Sequence, residues 1–192
     1  MRKKLVIAGV TAMVSMPSFA NTYFALGIGA GEYDYSGPSS ELESYKQIND
    51  MGSFGLKIGS YLNESLRAYG YIRLSVSDSY QNTDITTSEA GAGADYLHYV
   101  TSQFYLLAGG NLGYQKTILE DIDTSSSFKE DSTGLSSGIN LGLGYNFTEN
   151  FALEAGYRYS YYFSNDIKNS DTGLNLSVDS NYNAYLNAKF KF

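Results

Sequence analysis

The sequence predicts an all-β chain of eight long antiparallel strands that close into an up-and-down barrel. Three observations carry this expectation. Apolar and polar residues alternate at period two over long stretches, which gives each strand two unlike faces. Tight turns and long polar connections alternate between those stretches. The 192 residues include 19 Tyr, 10 Phe and 20 Gly, but only 2 Pro and no Cys or Trp. Such numbers suit strands that are greasy on one face and small or polar on the other. Without cysteine there is no disulfide framework.

Residues 1–20, MRKKLVIAGVTAMVSMPSFA, open with Arg2, Lys3 and Lys4, continue through an apolar run from Leu5 to Val14, and end in Ser18-Phe19-Ala20. A basic start, a short apolar run and small residues before the cut are the marks of a cleaved secretory signal peptide. A membrane anchor fits less well, because the run is about half the roughly 20 residues a spanning helix needs. The remaining domain is residues 21–192.

The first strand is expected over 22–34, with Phe24, Leu26, Ile28 and Ala30 opposite Ala25, Gly27, Gly29 and Gly31. The second covers 51–62, with Phe54, Leu56, Ile58 and Leu62 opposite Lys57, Gly59 and Tyr61. Asn63-Glu64-Ser65 turns the chain into a third, 66–78, which alternates Leu66, Ala68, Ile72, Leu74 and Val76 with Arg67, Tyr69, Tyr71 and Arg73. The fourth, 91–100, has a weaker pattern around Asp95. After Thr101-Ser102-Gln103, the fifth covers 104–117, with Phe104, Leu106, Ala108, Leu112 and Tyr114 on one face. The clearest pair is 135–147 and 151–163 around Thr148-Glu149-Asn150; Glu154 and Arg158 lie on its polar face. The eighth, 180–192, places Tyr182, Ala184, Leu186, Ala188, Phe190 and Phe192 on one face and Asn183, Tyr185, Asn187 and Lys189 on the other. The long connections fall at about 35–50, 79–90, 118–134 and 164–179.

Each strand reaches the roughly 9–11 residues that cross a bilayer obliquely. Short turns at one end and long loops at the other are the pattern of bacterial outer-membrane barrels. The polar face decides the orientation. It carries Lys57, Arg67, Arg73, Asp95, Glu154, Arg158 and Lys189 among glycines, a poor apolar core but a workable polar lumen. The apolar face then points to lipid, and closure satisfies every strand edge.

The hairpin GLGYNFTENFALEAGYRYSYYF, the segment GAGADYLHYVTSQFYLLAGGNLGY and the terminal YNAYLNAKFKF resemble the eight-stranded outer-membrane β-barrel family, which includes the OmpA transmembrane domain, OmpX and the opacity-type, porin-family proteins. The resemblance covers residues 21–192. It implies a Gram-negative outer membrane, with lipid, lipopolysaccharide and the barrel assembly machinery as partners, and a monomer. It further implies that the terminal aromatic pattern, Tyr182, Phe190 and Phe192, is read as the assembly signal. Family members serve as adhesins, serum-resistance factors and structural anchors. The strands use the length up to Phe192, so the peptidoglycan-binding role of full-length OmpA proteins is not carried over.

The candidate lumen residues are Lys57, Arg73, Asp95, Glu154, Arg158 and Lys189, expected to form an ion network. Glu154 and Arg158 lie about 14 Å apart along one strand and do not pair directly. Antiparallel neighbours bring Lys189 toward Glu154 and Arg73 toward Asp95. Such pairs plug the interior and fix register, and the competing reading is ion conduction. An eight-stranded interior is just wide enough for side chains to fill. Opposite the bare glycines of the first strand, Tyr61 and Tyr185 are expected to fill the space.

The rim is acidic. The chain carries −7, and removing the three positive charges of residues 1–20 gives −7 − 3 = −10. Sixteen of the 20 acidic residues fall in or beside the long connections, Glu89 among them. Glu120, Asp121 and Asp123 form the densest patch, which lacks the glycine and final Glu of an EF-hand loop. A solvated, repulsive rim, a surface for a basic host ligand, and one that recruits divalent cations beside lipopolysaccharide phosphates are all open readings, whereas the charge argues against nucleic acid. His98 falls near a tight turn, the end opposite the active site of the lipid A-modifying barrels, and an omptin-like protease needs ten strands. The GIGAG and GLGYN stretches lie within strands and precede no helix, so they are not phosphate loops. No enzyme activity, metal or cofactor is expected. The function expected is that of a surface protein acting through its external loops, in adhesion or as a structural component.

Overall fold

A computed structural model describes residues 21–36, 49–77, 83–121, 128–163, 166–169 and 174–192. The strands are β1 (Thr22–Ser36), β2 (Asp50–Asn63), β3 (Leu66–Ser77), β4 (Thr83–Tyr99), β5 (Phe104–Asp121), β6 (Phe128–Asn146), β7 (Phe151–Tyr162), β8 (Asp166–Asn169) and β9 (Leu174–Lys191). β1 to β7 pair in sequence order, β9 follows β7, and β9 returns to β1. Every pairing is antiparallel. Eight strands therefore make a closed barrel. The four-residue β8 is extra, a ribbon on the Leu174–Ser177 end of β9. The expected signal peptide lies outside the described residues.

Alternation builds the wall. The apolar set identified in the sequence lies on the outside: Ile28, Ile58, Leu112, Ile139, Leu141 and Tyr157 are each more than half exposed. This surface would be costly in water and is natural against lipid. Polar residues tie the three tight turns. Asn63 Oδ1 accepts the Ser65 N–H (2.8 Å), Thr101 Oγ1 accepts the Phe104 N–H (2.9 Å), and Thr148 Oγ1 accepts the Phe151 N–H (3.0 Å). Asn, Ser and Thr suit turns for this reason.

A row of aromatics runs round the tight-turn end. Tyr145 meets Phe147 (4.9 Å between ring centres), Phe147 meets Phe151 (5.8 Å), Phe151 meets Phe190 (5.2 Å), and Phe190 stacks on Phe24 (4.9 Å). Phe192 also stacks with Phe24, at 5.9 Å. This is the position of an interfacial girdle.

Several strands outrun the expectation. β4 starts at Thr83 rather than 91, β5 continues to Asp121, β6 begins at Phe128, and β9 begins at Leu174. The connections expected at 79–90, 118–134 and 164–179 are shorter accordingly. The added segments of β4 and β6, TDITTSEA and FKEDSTG, are mostly polar on both faces and show little alternation, whereas the added LNLSVD of β9 does alternate, in a short stretch beside a polar connection. They pair nonetheless, from Thr83↔Asp121 to Glu89↔Gln115 and from Asp121↔Phe128 to Lys116↔Thr133. Thr sits well in strands, and ladder bonding satisfies the backbone.

Three layers fill the lumen. Toward the long-connection end, Tyr33, Met51, Ile85, Leu119, Tyr162 and Val178 form an apolar stopper. Toward the tight turns, Leu97, Tyr105 and Leu107 pack together with Tyr61 against them. Between and alongside these layers lie Tyr23, Ala25, Tyr69 and Tyr71 and the charged residues.

Candidate functional site: a charge network across the lumen

The inward positions of β3, β4, β7 and β9 bring ionisable side chains together in the barrel interior. Arg67 on β3 is the hub, about 1% exposed. Its Nε and Nη2 donate to Asp95 Oδ2 on β4 (3.0 and 2.8 Å). Its Nη1 and Nη2 also donate across the lumen to Glu154 Oε1 and Oε2 on β7 (2.5 and 2.9 Å). The planar guanidinium suits two carboxylates at once. Glu154 accepts a further bond from the Tyr105 hydroxyl (2.6 Å), and Asp95 Oδ1 accepts one from Asn140 Nδ2 (2.9 Å). Lys189 Nζ stands 3.4 Å from Glu154 and donates to the Tyr61 and Tyr105 oxygens at 2.6 and 2.9 Å.

A second cluster lies toward the long connections. Arg73 Nη1 pairs with Glu89 Oε2 (3.1 Å) and donates to Ser160 Oγ on β7 (3.2 Å). The Tyr71 hydroxyl and Ser136 Oγ donate to Glu89 Oε1 at 2.5 and 3.0 Å. Lys57 and Arg158 differ in kind. Lys57 sits over the Tyr69 ring (4.3 Å) and Arg158 over the Tyr185 ring (4.8 Å), and neither meets a carboxylate among the described residues.

All six candidate lumen residues thus face the interior, with two corrections to the expected partners. Asp95 pairs with Arg67 and not with Arg73, because the β3–β4 register sets Arg67 opposite Asp95 and Arg73 opposite Glu89. Glu89, expected at the acidic rim, is buried in the lumen at about 3% exposure. The sequence signal for it was its spacing: Glu89 and Asp95 are six residues apart, so they share a face once β4 is extended.

Tyrosine and glycine fit together around the network. The Tyr69 hydroxyl lies 2.7 Å from where a Cβ on Gly93 would stand, and the Tyr71 hydroxyl 2.6 Å from that of Gly113. Tyr185 lies over Gly142 and Gly156 on β6 and β7, not over the glycines of β1 as expected. On β1, Asn187, Asn183 and Ser53 crowd Gly27 and Gly29.

The other candidates lie apart. Phe190 and Phe192 both stack with Phe24 at the tight-turn end, and the Phe192 N–H donates to the Thr22 carbonyl at 2.9 Å. Tyr182 is toward the other end, its hydroxyl donating to Glu32 (2.7 Å). His98 is exposed on the outer face beside a tight turn. Glu120 and Asp121 end β5, with side chains outside the described residues, and Asp123 is itself outside them.

The arrangement spans the barrel: Arg67 to Glu154 and Arg73 to Ser160 both join β3 to β7, and Lys189 on β9 reaches Tyr105 on β5. Chemically it is a brace. Opposite walls are held at fixed distance, and paired charges replace the water they lost.

Among solved structures, Neisserial surface protein A is similar to this chain, at 20% identity and TM-score 0.64 over 90% of this chain and 97% of that one. OprG from Pseudomonas aeruginosa matches at 15% identity and TM-score 0.62, over 90% and 97%. Ail, the attachment invasion locus protein of Yersinia pestis, matches at 15% identity and TM-score 0.52, over 89% and 98%. At these identities the shared property is the fold. No curated protein matches the chain by sequence. The family described as "Outer membrane protein beta-barrel domain" matches residues 6–192. The closed barrel, its greasy exterior and this match agree, and the chain belongs to the outer-membrane protein β-barrel domain family.

Proposed function

We propose that the protein is a non-enzymatic surface protein of a Gram-negative outer membrane, in which the barrel is the anchor and the long-connection end does the work. The observation that carries this reading is the length of β4, β5 and β6, at 17, 18 and 19 residues. About 9–11 residues cross the membrane, which leaves roughly 6–10 per strand, about 20–30 Å of paired ribbon, to stand clear of the lipid. A stiff ridge of this kind stands away from lipopolysaccharide, where a partner can reach it. A channel would have no need of it, and the braced lumen opposes one.

The role this supports is attachment, or a structural contribution to the cell surface. Ail is named for attachment and invasion, and has been crystallised with the heparin analogue sucrose octasulfate. A chain with an acidic rim and a charge of −7 would repel such a polyanion. The partner class is instead basic, a host protein surface rich in Lys and Arg. Cells with and without the protein, compared for retention on host matrix proteins, test the reading. Retention that falls when Glu120, Asp121 and Asp123 are changed to Gln, Asn and Asn supports the acidic ridge as the contact. Equal retention of both cell types would refute attachment and leave the structural role.

A further inference from the structure

Charge does not balance in the lumen. Leaving aside Lys191 at the tight-turn mouth, Lys57, Arg67, Arg73, Arg158 and Lys189 supply five positive charges among the described inward residues, and Glu89, Asp95 and Glu154 supply three negative ones. The surplus is 5 − 3 = +2, and it is localised. Lys57 and Arg158 are the members with no ion pair among the described residues; Arg158 is buried and Lys57 half-buried, and their ring contacts offset only part of the cost of their charge. An uncompensated ion in such a place costs several kcal/mol.

The two cations line one cavity of about 20 Å³, which lies against β1, β2 and β3. Arg73, Tyr185 and Asn187 contribute to the same lining. Two donors in this lining have no partner among the described residues: Arg158 Nε and Asn187 Nδ2. Their residues are both more than nine-tenths buried, at 6 and 4% exposure. Buried polar groups are almost always satisfied, so orphaned donors beside surplus positive charge call for an acceptor that carries negative charge. Gly55 keeps the wall open, since even a Cβ there would make only ordinary contacts. A cavity this size holds a single atom-sized guest, because roughly 10–15 Å³ suffices for one water. It excludes a phosphate headgroup or a sugar.

We propose that this cavity binds one small inorganic anion of the size of chloride, held by Arg158 and Lys57. Arg73, already paired with Glu89, adds long-range attraction. The anion takes bonds from the orphaned donors and lowers the surplus from +2 to +1. It is a bound structural ligand of the barrel wall and does not require ions to pass through the lumen.

The test uses the whole folded barrel in detergent. Thermal unfolding is followed in sodium chloride or bromide against sodium gluconate, with ionic strength held constant. The unfolding midpoint is expected to rise by a few degrees with chloride or bromide and to saturate, as for a ligand that binds only the folded state. In Lys57→Met/Arg158→Met, checked for folding by circular dichroism, the difference between salts should vanish. A difference that persists in that variant would place the anion elsewhere and overturn the proposal. Crystals of the unaltered protein soaked in bromide give a second readout that does not depend on the variant folding. An anomalous peak between Arg158 and Lys57 supports the site. Its absence at that position, with or without peaks elsewhere, means water fills the cavity and sinks the proposal.

Discussion

Single residues decide how the lumen is held. Arg67 pairs with two carboxylates on opposite walls, and its removal would leave Asp95, among the described residues, with the Asn140 bond, and Glu154 with Lys189 and Tyr105. Arg67→Ala is expected to destabilise the barrel by about 3–5 kcal/mol, the cost of stranding buried charge. Neutralising the whole group, as Arg67→Met/Asp95→Asn/Glu154→Gln/Lys189→Met, should recover much of that loss. Urea unfolding in detergent measures both, and equal stability of Arg67→Ala and the native chain would remove Arg67 from its central place. Glycine makes a second contrast. A Cβ on Gly93 would stand 2.7 Å from both the Gly110 carbonyl and the Tyr69 ring, while nothing lies within 4 Å of one on Gly52. Gly93→Ala should therefore cost about 1–3 kcal/mol by overpacking against backbone that cannot yield. Gly52→Ala should be neutral or slightly stabilising, through the unfolded chain. The sequence made the inward charges and glycines legible as one polar, small face. It did not reveal which tyrosine covers which glycine, because that depends on register and on diagonal neighbours across the sheet.

The wall elements were legible where alternation is strong and illegible where both faces are polar. β7 and the β6–β7 turn matched closely, because Phe, Leu and Tyr stand against Glu, Arg and Ser with no ambiguity. The first half of β4 reads as loop for want of an apolar face, and Glu89 was misplaced with it. At the other end, the closing pair of β1 and β9 was marked by its aromatics. Fourteen register pairs join them, Phe24 facing Phe190, with one irregularity at Asp34/Tyr35. Phe192 adds only a ring on Phe24 and one backbone bond to this long ladder. Deleting Phe192, or changing it to Asp, is therefore expected to leave a refolded barrel with nearly native unfolding in urea. If the terminal aromatic is read during assembly, the same change should cut outer-membrane levels in cells several-fold. Normal cellular levels would detach Phe192 from assembly, and a large loss of stability in vitro would make its role structural.

At the scale of the whole molecule, closure and the polarity of the two faces followed from the sequence, because lipid leaves no alternative for unpaired strand edges. What could not be read was whether the interior conducts, since that turns on contacts across the lumen. Three bridges now bear on it: Arg67–Glu154, Arg73–Ser160 and Lys189–Tyr105 each join strands that are not neighbours in the sheet. Beyond them, toward the long connections, Ile85 and Val178 are fully buried in the apolar stopper and Leu119 nearly so. An ion moving along the axis would have to displace paired charges and then cross a dry layer, with no fixed carboxylate or cation there to replace its water. The native barrel in a planar bilayer is accordingly expected to show no steady conductance. Arg67→Ala breaks a bridge but leaves the stopper, so it should remain closed. Combining it with Ile85→Ser and Val178→Ser wets that layer and should admit small ions. Steady conductance of the native chain, abolished by Arg158→Glu, would instead show that the lumen is a pore lined by its surplus cations and not a brace.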